Sequence, residues 1–188
     1  EKYDFITLIG VLEYAESYIH ESDPYHALLR AVGKHLAPGG KLVTAIENRF
    51  GLKYFAGCKE DHTGTYYSGI EGYPDFEGVK TFSKQMLRGL MQEAGFQTKF
   101  YYPYPDYKLP HTIYSEEYLP KAGELTTNLR NFDADRVVTF DEGRVFDSLI
   151  EEGLFQHFSN SFLVLASYED IWENCSALPV FAKYANER

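Results

Sequence analysis

The 188-residue sequence predicts an α/β fold built on a largely parallel sheet. Three observations carry that reading. Lys41–Glu47 is an almost continuous apolar and β-branched run (Leu42, Val43, Thr44, Ile46), the pattern of a strand covered on both faces. Tyr3–Ile9 (YDFITLI) is a second run of the same kind and length. Between them lies an amphipathic stretch with a capped start, so the first 47 residues read as strand, helix, strand: a right-handed crossover between parallel neighbours.

In chain order, Tyr3–Ile9 is closed by Gly10, and Gly10-Val11-Leu12-Glu13-Tyr14 leaves the strand. Asp23-Pro24 is a helix start, with Asp as N-cap and Pro in the first turn. A helix over 24–36 places Leu28, Leu29, Val32 and Leu36 on one face and Arg30 and Lys34 on the other. Leu36-Ala37-Pro38-Gly39-Gly40 reads as a stop and turn, since Pro cannot continue a helix and Gly supplies positive φ. The strand over 41–47 then delivers Glu47-Asn48-Arg49 to its carboxyl end, where open α/β sheets bind ligands. Residues 48–82 show no period and are punctuated by glycines. A loop of that length in a compact domain reads as a lid or an insertion. Ser83 caps a helix over 84–94 with Met86, Leu87, Leu90 and Met91 on one face, and Gly95 ends it. Strand 97–102 follows, then extended Pro103–Pro110, helical character over 115–122, and a helix over 141–152 with the stripe Val145, Phe146, Leu149 and Ile150. Asn160–Ser167 (NSFLVLAS) is the last strong strand. The expected organisation is one domain over 1–170, with a second insertion or cap over 103–158 and a tail or linker over 171–188.

Composition narrows the function classes. Net charge is −10 with a pI near 5.0, unlike a protein that binds phosphate backbones in bulk. No apolar run reaches the ~20 residues of a membrane span, and the first residues lack the features of a secretory signal. Cys58 and Cys175 fit no zinc or CxxC spacing, and such sparse cysteine suits a reducing, cytoplasmic setting. No His, Asp or Glu group has metal-ligand spacing along the chain, so no metal is expected. Many of the 16 tyrosines fall between Tyr54 and Tyr118, either packing under loops or offering rings for stacking.

The strand and exit ending in Val11-Leu12-Glu13-Tyr14, the helix, the L-x-P-G-G turn at Leu36–Gly40 with its buried strand, and Ala94-Gly95-Phe96 before strand 97–102 form an ordered series. It resembles the second half of class I S-adenosylmethionine-dependent methyltransferases, with a Rossmann-like sheet. The resemblance implies that Asn160–Ser167 runs antiparallel to the other strands. It also implies that Gly10, Val11, Leu12 and Glu13 line the cofactor side, and that Glu47 and Asn48 face the methyl acceptor. Arg49, Tyr66 and Tyr67 are candidate acceptor contacts in the following loop. Glu47–Gly51 with Glu60-Asp61-His62 further resembles a methyltransferase subgroup found beside glycan-assembly enzymes in bacteria, which suggests a saccharide acceptor.

Several of these residues carry a second reading. Glu13 is a site residue, a cap of the following helix or simply a solvated side chain. His62 is either a general base oriented by Asp61 or a hydrogen-bonded loop histidine. The family's Gly-rich loop and its ribose-binding acid are absent from this sequence, and Gly69-Ile70-Glu71-Gly72 is no substitute. The chain is therefore expected to be part of a longer protein, to bind S-adenosylmethionine weakly or not at all by itself, and to self-associate through the orphaned edge of strand 3–9. The rival reading is a non-catalytic, methyltransferase-like interaction module.

Overall fold

Leu42, Thr44 and Ile46 are fully buried on the second strand of a six-stranded sheet, as their apolar run requires. The structure is a computed structural model that describes residues 1–127, 136–169 and 181–183. Its elements in order are β1 (Tyr3–Ile9), a 3-10 turn over Leu12–Tyr14, α1 (Ala15–Tyr18), α2 (Pro24–Gly33), β2 (Leu36–Glu47), α3 (Leu52–Phe55), α4 (Ser68–Glu71), α5 (Lys84–Glu93), β3 (Gln97–Tyr104), β4 (Thr112–Ser115), α6 (Glu142–Glu151), α7 (Phe155–Phe158), β5 (Ser161–Ser167) and β6 (Ala182–Lys183).

The sheet order is β1-β2-β5-β3-β4-β6. β1 and β2 are parallel, with Phe5–Ile9 opposite Lys41–Ala45, so the crossover through α2 is present. β5 inserts antiparallel between β2 and β3, pairing Leu42 with Ala166 and Phe100 with Val164. Phe162, Val164 and Ala166 are fully buried, which explains the apolar density of that strand. The fold is therefore mixed α/β and Rossmann-type, but the sheet is not largely parallel: β1–β2 is the one parallel pairing among the named strands, because β5 inserts between β2 and β3.

The caps fall where the residue types put them. Asp23 Oδ1 accepts from the His26 amide at 3.4 Å, and Ser83 Oγ and Asp141 Oδ1 each accept from an amide three residues on at 3.3 Å. Gly95 (φ 91°) and Gly153 (φ 70°) turn the chain after α5 and α6.

Several expectations need correction. α2 stops at Gly33 rather than Leu36, and β2 begins at Leu36. Because Tyr3 pairs with Leu36 while Phe5 pairs with Lys41, the Pro-Gly-Gly segment is an irregularity carried within β2. A Cβ on Gly40 would sit 2.9 Å from the Ala37 carbonyl oxygen and 3.0 Å from that of Tyr3, so only glycine fits there. Residues 115–122 form no helix. Instead β4 pairs back onto β3 through Tyr102↔Tyr114, burying both rings. Met86 faces outward, and α5 buries Leu87 and Met91. β1 is not covered on both faces. Leu8 lies in the core, but Phe5 and Ile9 are 63% and 49% exposed. The register puts Phe5 and Ile9 on one face with Val43, Leu163 and Leu165, opposite the face on which the main core lies. Cys175 and most of the expected tail lie outside the described residues, while Cys58 is buried.

Candidate functional site

Two parallel strand ends build the site. β1 stops at Ile9, Gly10 turns the chain at φ 62°, and the 3-10 turn carries Glu13 inward until it is 1% exposed. Beside it, β2 ends at Glu47, which is fully buried. Residues 48–82 fold back through α3 and α4, tied down by the Asn48↔Phe82 bridge, and bring His62 over the strand ends. Glu13, Glu47 and His62 each offer a ligand atom, all within 4.8 Å of one another. A Cβ on Gly10 would lie 3.2 Å from the Tyr107 hydroxyl and 3.5 Å from Glu13 Oε1, so the glycine lets both approach the strand end.

Glu60 holds His62. One Glu60 oxygen accepts from the amides of His62 (2.8 Å) and Thr63 (2.7 Å), and the other meets His62 Nδ1 at 2.9 Å and the Tyr73 hydroxyl at 3.1 Å. The other ring nitrogen, Nε2, points to Glu13 Oε1 at 3.6 Å, and the Tyr14 ring packs edge-on against the imidazole. Burial alone would push the His62 pKa down. The neighbouring carboxylates of Glu13, Glu60 and Glu47 outweigh it and bring the value to about 10. At neutral pH His62 is thus an imidazolium in this arrangement, a cation and proton donor rather than a base. Burial likewise opposes ionisation of Glu60, but the His62 hydrogen bond and charge hold its pKa below the usual carboxylate range.

Asp61 turns away from His62. Its Oδ2 lies 2.7 Å from Lys53 Nζ and accepts from the Tyr54 hydroxyl at 2.6 Å. Lys53 is 2% exposed and also reaches Asp106 at 3.0 Å, making a buried ammonium held between two carboxylates. Burial works against the Asp61 charge, yet Lys53 keeps its pKa low. Lys108 lies 2.7 Å from Glu47 Oε1 and 3.8 Å from Asp61 Oδ1. Burial nevertheless leaves the Glu47 pKa raised, against the pull of Lys53 and Lys108.

Of the residues singled out from sequence, Glu13, Glu47 and His62 converge. At the end of β1 Gly10 is half-buried and Val11 exposed, while Leu12 is fully buried. Asn48 is committed to the backbone: Nδ2 donates to the carbonyls of His157 and Ser159, both at 2.8 Å, and Oδ1 accepts from the Phe50 amide. The Arg49 guanidinium donates to the Gly69 and Ile70 carbonyls. Tyr66 and Tyr67 are exposed, with ring centroids 6.1 Å apart, and Tyr67 holds φ 64°. Sequence reasoning missed Lys53, Asp106, Tyr107 and Lys108. No local motif marks them: Lys53 sits on the short helix α3, and Asp106, Tyr107 and Lys108 come from the turn after β3, distant in sequence. Glu60 was visible only as a neighbour of His62.

Residues 1–99 match the family model described as a methyltransferase domain, and the chain belongs to that family. A comparison with curated proteins finds no match. Among solved structures, the chain is similar to a SAM-dependent methyltransferase of Thermotoga maritima, described as a possible histamine N-methyltransferase, at 12% identity and TM-score 0.43, covering 90% of this chain and 57% of that one. It is also similar to a SAM-dependent methyltransferase of Archaeoglobus fulgidus at 16% identity and TM-score 0.44, covering 88% of this chain and 59% of that one. The chain thus spans less than two thirds of the length of either structure. Among the described residues, no helix is long and apolar enough to cross a membrane.

Proposed function

We propose that the chain supplies the strand-end rim of an S-adenosylmethionine-dependent methyltransferase site, and that the remaining cofactor contacts come from polypeptide covering β1. The observation that carries this is the delivery of Glu13, Glu47 and His62 to one point by two parallel strand ends and the 48–82 segment. When bound, the cofactor supplies an electrophilic methyl group on a sulfonium.

The residues present fit one side of that group. Gly10, with no side chain, and exposed Val11 offer an apolar ledge at the end of β1, and the buried Glu13 carboxylate beside it suits a neighbouring positive charge. Leu12 and Glu13 act from beneath that ledge. Glu47, Arg49, Tyr66 and Tyr67 belong to the acceptor side, and residues 48–82 act as a lid that keeps water from the reacting atoms. Asn48 positions the rim by locking the end of β2 to the start of β5. With His62 already protonated, a proton leaving the acceptor goes to the Glu13–Glu47 carboxylate pair, and His62 balances their charge. The acceptor is a small polar molecule. A saccharide is the class that the exposed Tyr66–Tyr67 pair suits, through stacking of sugar faces on the rings.

The exposed edge and face of β1 favour a second reading, an interaction module without catalysis. Calorimetric titration with S-adenosylmethionine separates the two. The methyltransferase reading expects micromolar affinity from a longer form that covers β1 and affinity at least about tenfold weaker, 1.4 kcal/mol, from these 188 residues. Micromolar binding by the 188 residues alone would remove the divided-site part. Absence of binding by both forms would leave the interaction module.

A further inference from the structure

We propose that Glu13, Glu47 and His62 form a binding site for a divalent first-row cation, Mn²⁺ or Zn²⁺. Four independent features of the geometry point the same way, and none depends on methyl transfer.

The first is spacing. His62 Nε2 and Glu13 Oε1 are 3.6 Å apart, too far for the 2.7–2.9 Å of a charge-assisted hydrogen bond. Two ligands each about 2.0–2.2 Å from one ion, at a tetrahedral angle, stand roughly 3.4 Å apart. The ligand atoms of Glu13, Glu47 and His62 all lie within 4.8 Å of one another, so the three side chains converge on one place. The second is the donor set. One imidazole nitrogen with two carboxylates is a combination used for transition-metal dications.

The third is the support behind the histidine. His62 Nδ1 meets Glu60 Oε1 at 2.9 Å, which commits Nδ1 as the donor and leaves Nε2 facing the carboxylates. Glu60 is itself fixed by the Thr63 amide and the Tyr73 hydroxyl. Metal-binding histidines are oriented by such a carboxylate on the ring nitrogen away from the ion. The fourth is unmet demand. Glu13 Oε2 has no hydrogen-bond partner although Glu13 is 1% exposed, and fully buried Glu47 has the Lys108 ammonium at one oxygen, Oε1, at 2.7 Å. Buried carboxylate oxygens are costly unless a donor or cation meets them.

Lys108 is the competitor. Its ammonium lies 2.7 Å from Glu47 Oε1, but its side chain is 47% exposed and can withdraw into solvent. Besides Glu47 it reaches Asp61, at 3.8 Å, and it leaves Glu13 Oε2 unmet. Around the rim, Glu13, Glu47, Glu60, Asp61 and Asp106 outnumber Lys53, Lys108 and His62, so a dication is electrostatically favoured even with Lys108 retained. Ion binding takes the Nε2 proton of His62 into solvent. Three protein ligands leave the ion with further positions for water or a bound oxygen.

The test is calorimetric titration of the chelator-treated chain with MnCl₂ and, separately, ZnCl₂, with no S-adenosylmethionine present. One saturable site is expected. Glu47→Gln and Glu13→Gln, which keep side-chain shape, should each weaken it at least about tenfold, and Glu60→Gln by about 10–100-fold. Lys108→Met should tighten it. Circular dichroism establishes that each variant is folded. Independently, Mn²⁺ added to the wild-type chain should broaden the His62 ring nitrogen resonances before those of His20, His35 and His111. Absence of saturable binding below about 1 mM, or affinity unchanged in Glu13→Gln and Glu47→Gln, overturns the proposal.

Discussion

Asn48→Ala is the substitution that tests most sharply how the rim is held. The side chain is fully buried and all of its polar valences are used: two donations, to His157 and Ser159 carbonyls at 2.8 Å each, and one acceptance from the Phe50 amide at 3.0 Å. Removing it deletes three hydrogen bonds worth about 0.5–1.5 kcal/mol each, and stranding a buried carbonyl costs ~1–3 kcal/mol more. A loss of about 3–5 kcal/mol follows, a large share of the 5–15 kcal/mol that typically holds a domain together. With an m-value of ~2 kcal/mol per M, the urea midpoint should fall by roughly 1.5–2.5 M. Asn48→Asp keeps the shape and the bond from Phe50 but turns an oxygen toward two carbonyl oxygens, so its loss should be at least as large. Urea unfolding followed by tyrosine fluorescence measures both. A fall of under ~1 kcal/mol in Asn48→Ala would refute the positioning role and return Asn48 to direct acceptor contact.

Three other outcomes follow from the same structure. Lys53→Met leaves Asp61 and Asp106 facing each other without their buried cation, and chemical denaturation at neutral pH should show a loss of about 3–5 kcal/mol. Glu116 Oε1 receives Lys84 at 2.6 Å and Arg88 at 2.9 Å. Burial acts to raise its pKa, but these partners set it below the unfolded 4.5. Its stabilisation is therefore complete above pH 4.5 and is lost as pH falls through the lower folded value, so the acid limb of a stability–pH profile should flatten in Glu116→Gln. Finally, Phe5→Lys and Ile9→Lys place charge on the open edge and exposed face of β1 and should shift light-scattering mass toward monomer. Unchanged mass in a self-associating sample would locate the contact elsewhere.

Much of the fold was legible because local rules and global packing agree. The buried run Leu42–Ile46, the Asp23, Ser83 and Asp141 caps, and Gly95 and Gly153 each announce their element through residue type alone. Errors arose where pairing overrode local signals. Pro38-Gly39-Gly40 reads as a turn, yet β1 lies alongside and draws it into β2. Residues 112–115 could not be seen as a strand without β3 to pair with. Met86 has helical spacing, but α5 turns Leu87 and Met91 inward.

The site divides in the same way. Glu47 was marked in the sequence because strand ends in an α/β sheet are where ligands gather, and Glu13 by the resemblance of its strand exit to the family's. His62 stood out by residue type, but its neighbour in sequence was not its partner. Adjacent side chains in an extended turn diverge, so Asp61 went to Lys53 while Glu60, two residues back, came under the imidazole. By itself the sequence determined the main helices and strands, the parallel pair β1 and β2 and the acidic ends of those strands. Only the tertiary structure decided which charges meet. Coulombic and hydrogen-bonding energies depend on separations of a few ångströms, and residues as far apart in the chain as Lys53 and Asp106, or Glu13, Glu47 and His62, acquire such separations only once the backbone has closed around them.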